Sequence, residues 1–191
     1  MVMKNFLWIG GAQWVDLVNT EKMRDGVRMD LLTSANDALE WLREARVSVE
    51  EFEVNRELLE KLKNLRASLR ALCEAAHENK APSPQALEDV NAILACRALK
   101  WELQEENTLQ AREVMATGQE ESVLYTLARE AALTLGTSAR ENLKPCANPA
   151  CILWFLDTSK NRARRWCAMD ECGNRLKVAA HYARKKETPK P

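Results

Sequence analysis

The chain has 191 residues, 46% of them hydrophobic and 29% charged, with a formal net charge of zero. That length allows one medium domain plus a small one. No apolar run approaches the length of a membrane span, and Met1 to Trp14, with one Lys and a short apolar stretch, lacks the pattern of a secretory signal, so no membrane partner and a cytoplasmic location are expected. The zero charge hides two unequal parts. From Arg140 onward twelve Lys/Arg stand against five Asp/Glu, an excess of +7, and the remainder has sixteen against twenty-three, a deficit of −7. A basic tail on an acidic body points to an anionic partner at the tail, or to attraction between the two halves.

The first twenty residues are apolar, with Gly10-Gly11 as a turn between Phe6-Leu7-Trp8-Ile9 and Trp14-Val15. A short hairpin, or a strand leading into a helix, fits this pattern. Asp16 and Asn19 share a face if the segment is helical and could line a ligand pocket with Trp14 and Arg24. The structural alternative pairs Asp16 with an arginine and lets Asn19 end the helix. Asp37 to Arg46 reads as a helix capped by Ser34 or Asn36, with Leu39, Trp41 and Leu42 inward. Val54 to His77 is the clearest helix, because Leu58, Leu62, Leu65, Leu69 and Leu72 make one continuous stripe. Lys80 to Pro84 ends it. Ser83 caps the next helix, with Pro84 in the first turn, where its missing N–H costs nothing, and Leu87, Val90, Ile93 and Leu94 bury it. Leu99, Trp101 and Leu103 then alternate with polar residues, as in a half-buried strand, which a turn at Glu105-Glu106-Asn107 returns as a hairpin through Thr108 to Met115. Glu120 to Leu135 is helical again and stops at Gly136-Thr137-Ser138. Cys73 and Cys96 read as small core residues of helices.

The four remaining cysteines form two pairs, Cys146-x4-Cys151 and Cys167-x4-Cys172, with fifteen residues between them. Two short chelating pairs brought together by a fold are the usual construction of a zinc site. Two disulfides would require an oxidising compartment, and iron–sulfur ligands are usually spaced more closely. Four thiolates leave Zn²⁺ no open position for a substrate water, so the site is expected to be structural. Arg162 to Trp166 is expected to form the strand that delivers Cys167, and a basic helix, Asn174 to Lys186, to leave the second pair. On that helix Leu176, Ala179, Ala180 and Ala183 share one face; Asn174, His181 and Lys185 lie opposite, with Lys177 and Arg184 on the flank. Trp166 either stacks on a base or forms the core of the small module. Asn174 either reads a base or caps the helix. Arg164, Arg165 and Arg175 could instead neutralise the formal −2 charge of a four-thiolate zinc site.

The run from Arg164 to Arg175, ending in Cys172-Gly173-Asn174-Arg175, resembles the signature of the CGNR zinc finger family. Cys146-x4-Cys151 followed by Trp154-Phe155-Leu156-Asp157 is similar to that family's first knuckle. Val15-Asp16-Leu17-Val18-Asn19-Thr20 resembles the Leu-Asp-Phe-Val-Asn-Thr motif of the ABATE domain, which usually precedes this finger. The resemblance implies a stress-induced transcription regulator with a helical ABATE-like regulatory domain over residues 1–139 and a CGNR-type finger over 140–191.

These observations lead to a mostly α (α+β) chain that binds nucleic acid, DNA first of all, through the finger. The candidate contacts are Arg162, Arg164, Asn174, Arg175, Lys177, His181, Arg184 and Lys185. The N-terminal part would hold a small-molecule effector or join two copies as a homodimer. Two other classes fit the same residues: a protein-interaction module with a structural zinc, and a thiolate redox switch that ejects zinc on oxidation. With two histidines and no Ser/His/Asp set, phosphate loop or paired carboxylates, no enzyme is expected.

Overall fold

The structure, a computed structural model, describes residues 6–47, 54–96, 99–106, 108–115 and 119–178, with the backbone alone over 99–119. The elements in chain order are α1 (Gln13–Val18), β1 (Glu21–Arg24), β2 (Val27–Asp30), α2 (Ala35–Glu44), α3 (Arg56–Glu78), α4 (Pro84–Ala95), β3 (Leu99–Glu106), β4 (Thr108–Met115), α5 (Gln119–Leu135), a 3-10 turn (Ser138–Asn142), β5 (Leu143–Pro145) and β6 (Trp154–Leu156). A terminal helix opens with a wide π-type turn over Met169–Gly173 and continues as α-helix over residues 174–178. The fold is mostly α with three two-stranded antiparallel sheets among the described residues. No helix of the described residues is long and apolar enough to cross a membrane.

The chain divides into two compact units, and the division does not follow chain order. One unit is built from Leu31–Arg140 together with Phe6; the other from Leu7–Asp30 and from Glu141 onward. The segment 7–30, grouped by the sequence with the helical domain, therefore lies in the unit that contains the four-cysteine region.

In the helical unit the ends of helices are fixed by local chemistry. The Ser34 hydroxyl accepts from the Asp37 N–H, and the Asp37 carboxylate accepts from the Ser34 N–H, a reciprocal cap on α2. Asn55 caps α3 by accepting from Leu58 N at 2.9 Å, and Asn79, in the left-handed region at φ 52°, ends it. Ser83 and Pro84 start α4 as the sequence indicates. The leucine stripe of α3 is buried throughout, and α3 packs on α2, α4 and α5. The burial of α4 departs from expectation. Ala86 and Val90 are buried, but Ile93 and Leu94 are half-buried and Leu87 is 40% exposed. Its apolar side borders a cavity instead of closing on its neighbours. Cys73 is buried, while Cys96 is the half-buried C-cap of α4, not an interior residue. The expected hairpin at 99–115 is present, in register from Leu99↔Met115 to Glu106↔Thr108.

In the second unit, a hairpin absent from the sequence reading joins β1 to β2. Asp25 and Gly26 make its turn with φ of 51° and 80°, the two positive values that a type I′ turn needs. The N-terminal segment before it bends at Gly10 and Gly11 and enters α1 directly. α1 packs on β6, and β6 pairs with β5 from Leu143↔Leu156 to Pro145↔Trp154.

Candidate metal centre

Two knuckles bring the four cysteines together. β5 runs into Cys146, whose N–H donates to Leu153 O at 2.8 Å. Asn148 then folds the chain back: its Oδ1 accepts from Ala150 N at 3.0 Å, and its carbonyl accepts from Cys151 N at 2.9 Å. In the second knuckle Cys167 precedes the terminal helix and Cys172 lies in its first turn. The four Sγ atoms lie within 4.8 Å of one another. Cys151 and Cys167 are 3.8 Å apart, which matches the edge of a tetrahedron with metal–sulfur bonds of about 2.3 Å and far exceeds a disulfide of about 2.05 Å. Cys146, Cys167 and Cys172 are buried and Cys151 is half-buried. Asn148 Nδ2 donates to Cys172 Sγ at 3.3 Å, and Cys167 N donates to Cys146 Sγ at 3.4 Å; both bonds favour anionic sulfur. The donor set, geometry and enclosure fit a closed four-thiolate metal site.

Without a cation the sulfurs compete for charge. The Cys167 thiol donates to Cys151 and brings Cys151 down to about 6, and the same bond, with burial, pushes Cys167 far up. Burial raises Cys172 to about 11. A divalent ion at the centre must therefore displace protons from Cys167 and Cys172 near neutral pH.

The apolar mass around the sulfurs comes from both parts of the unit. Leu153 and Phe155 are buried with the cysteines, and Leu7, Ile9, Trp166 and Ala168 pack against them. Asp16 Oδ1 accepts from Gly10 N at 2.7 Å and Ile9 N at 3.2 Å, holding the segment that carries Ile9. A side chain at position 10 would press its Cβ to 2.7 Å from that oxygen, so only glycine fits. Gly10 O in turn accepts from Leu156 N at 2.8 Å. The Asn19 carboxamide clasps the backbone of Trp154, donating to its carbonyl at 2.8 Å and accepting from its N–H at 2.9 Å.

Asp157 organises the link between the knuckles. Burial works to raise its pKa, but Lys144 Nζ at 2.7 Å, the Ser159 hydroxyl and N–H, and Arg164 N at 2.9 Å outweigh it and hold the carboxylate well below its usual range. This capture explains why Arg162 to Trp166 is not the expected strand. Arg162 N donates to Ser159 O, Ala163 N to Ser159 Oγ and Arg164 N to Asp157, so the donors that a sheet would use are already committed. Arg162 itself sits at φ 48°.

Family comparison meets this geometry. The model for the ABATE family, described as "Putative stress-induced transcription regulator", matches residues 11–138, more than half of the chain. The chain belongs to the ABATE family. The model for the CGNR zinc finger matches residues 142–185, directly after it. No curated protein matches the chain in a sequence search. The ABATE match begins at residue 11 and so includes α1, whose motif Val15 to Thr20 supplies Asp16 and Asn19 to the finger's own unit.

The candidate residues divide accordingly. Trp14, Asp16 and Asn19 are buried, and the last two are bonded to backbone as described, whereas the Arg24 side chain is 74% exposed on β1 beside Asp25. None of the four lines the cavity between α3, α4 and α5 or the one beside Trp166. Arg164 is committed to the fold: its guanidinium donates to the carbonyls of Ile9, Trp166 and Cys167 and lies 4.2 Å from the centre of the Phe155 ring. Asn174 is exposed but is not a cap, because the terminal helix starts earlier, after Ala168. A Cβ at Gly173 would meet Met169 Sδ, the end of a flexible and exposed side chain, and come 3.0 Å from Trp166. Trp166 packs on the cysteine cluster, as core, with the Arg165 guanidinium 5.0 Å from its ring centre. Arg162, Arg175 and Lys177 are exposed. His181, Arg184 and Lys185 lie outside the described residues. The sequence reading missed Asn148 and Lys144 and gave Asp157 a place in the knuckle motif but no role, because these roles rest on partners distant in the chain.

Asn19→Ala is expected to weaken the metal-binding unit by about 1–3 kcal/mol, the cost of leaving the Trp154 backbone groups buried and unpaired. Denaturant titration followed by metal release checks this; an unchanged midpoint contradicts it. Metal affinity is expected to rise by at least about 100-fold per pH unit between pH 7 and 8, above the Cys151 value and below that of Cys172, since at least two protons leave. Competition with a chelator of known pH dependence measures it, and a rise of tenfold or less contradicts it.

Proposed function

We propose that the four thiolates hold Zn²⁺ and that the finger so ordered binds DNA, as the output part of a stress-induced transcription regulator acting in the cytoplasm. An all-thiolate, closed tetrahedral set suits Zn²⁺, which supplies folding energy there and performs no chemistry. The reading assigns the chain no catalytic step.

The observation that carries DNA binding is the state of the finger's cations. Arg162, Arg165, Arg175 and Lys177 are exposed, and none has an ion-pair partner among the described residues. Asp157 is buried and already neutralised by Lys144. The exposed acids Asp170 and Glu171 lie in the first turn of the terminal helix, where its positive end attracts them. A four-thiolate zinc centre carries a formal −2 and Asp170 and Glu171 add −2, so phosphate approaches only if cations around them overcompensate. With Asp157 neutralised by Lys144, the six cations Lys160, Arg162, Arg164, Arg165, Arg175 and Lys177 leave a margin of +2. Arg165 over Trp166 also offers a flat cationic surface to sugar and phosphate.

Fluorescence anisotropy with a labelled random duplex over a salt series tests the reading. Affinity should fall steeply with salt, and Arg175→Glu/Lys177→Glu should reduce it more than tenfold and lower the salt slope by roughly two. Arg162→Gly separates function from stability. Glycine relieves the left-handed backbone, worth about 1 kcal/mol, so the protein should melt no lower while binding several-fold more weakly. Charge-reversed protein that binds like the parent contradicts the proposal and favours a protein partner for this face.

A further inference from the structure

The helical unit contains a cavity of about 440 Å³ between α3, α4 and α5, within the size range of small-ligand sites. Its origin is legible in the residues. Toward its N-terminal end α3 fills the interhelical space with Leu58, Leu62 and Leu65, all buried. Toward its C-terminal end it presents Ala75 and Ala76, and α5 presents Ala131 and Ala132, side chains too short to meet across the gap. Leu87, Val90 and Leu94 of α4 share one helical face and line the opposite wall. This is why Leu87 stays 40% exposed and Leu94 half-buried where full burial is expected of them. Leu69, Leu72 and Leu135 complete an apolar interior.

The polar part of the lining is one-sided. Its charged residues are Lys80 and Arg140, both cations, and Asn79 and Asn91 add amides; no carboxylate lines it among the described residues. Lys80 is paired with Glu78 at 2.6 Å. The Arg140 guanidinium is exposed and has no partner among the described residues. An apolar interior beside an available guanidinium defines the ligand by its two ends: an apolar body for the alanine-walled gap, and a carboxylate that Arg140 can grip through two parallel hydrogen bonds.

We infer that this cavity binds a small carboxylate with an apolar body, of the medium-chain fatty acid type. The site is distinct from the Trp14–Arg24 group suggested by the sequence, and the inference does not rest on the metal or DNA readings. It also gives the regulatory part of the chain a place to receive an effector.

Calorimetry on the full metal-loaded chain, with decanoate and decanol as probes, tests it. Decanoate should bind at least tenfold more tightly than decanol, because only it engages the guanidinium. Arg140→Gln, a change at an exposed position, should erase that preference while leaving decanol binding intact. Ala132→Trp should block both probes by filling the gap; should that variant not fold, as judged by its circular dichroism, Arg140→Gln alone decides. Equal affinity for the two probes, no binding of either, or a preference that survives Arg140→Gln overturns the inference.

Discussion

Four largely buried sulfurs within 4.8 Å of one another cannot all be anionic without a cation between them, and the second unit is arranged around that constraint. In the metal-free cluster one thiolate at Cys151 is tolerated because Cys167 donates to it, while burial keeps Cys172 protonated. A divalent ion converts the set to four thiolates with a net formal charge of −2. The Asn148 amide and the Cys167 N–H then donate into the sulfurs. Binding energy at the metal becomes folding energy for knuckles that have little apolar mass of their own.

That shortage of apolar mass explains the division of the chain. The finger's core is completed by Leu7 and Ile9, from the far end of the sequence. Asp16 fixes the approach of that segment and Asn19 fixes β6 through Trp154. The ABATE match ends before the finger begins, yet α1, which lies inside that match, packs on a strand of the finger. Two family segments adjacent in sequence are thus interleaved in space. Of the buried polar residues in the ABATE motif, Asn19 bonds the Trp154 backbone of the finger, Asp16 the backbone of Ile9 and Gly10, and Thr20 the carbonyl of Leu17.

What the sequence made legible was local. The α3 stripe, the Ser34 and Ser83 caps and the paired cysteines depend on spacings of three to five residues, and the structure reproduces them. The Asp25-Gly26 turn is equally local and rests on its own two residues. Asn19 could not be resolved, since a pocket and a clamp demand the same buried amide, and its partner lies 135 residues away. Arg162 to Trp166 alternates like a strand, but Asp157 captures its backbone first. Arg164 looked like a phosphate contact because charge in a sequence does not reveal which carbonyls surround it. The apolar face of α4 has helical period without full burial, because the alanines opposite it leave space that periodicity cannot report.

The functional account depends on one structural claim: that residues 7–30 and the finger are a single unit held by the metal, separate in stability from the α3 core. Hydrogen exchange on metal-loaded and chelator-treated protein measures this directly. The account predicts that chelation removes protection together at Gly10, the α1 amides and Trp154, while the amides from Leu58 to Leu72 keep theirs. Protection that persists in α1 while the knuckles open, or that collapses across α3 at the same time, contradicts it.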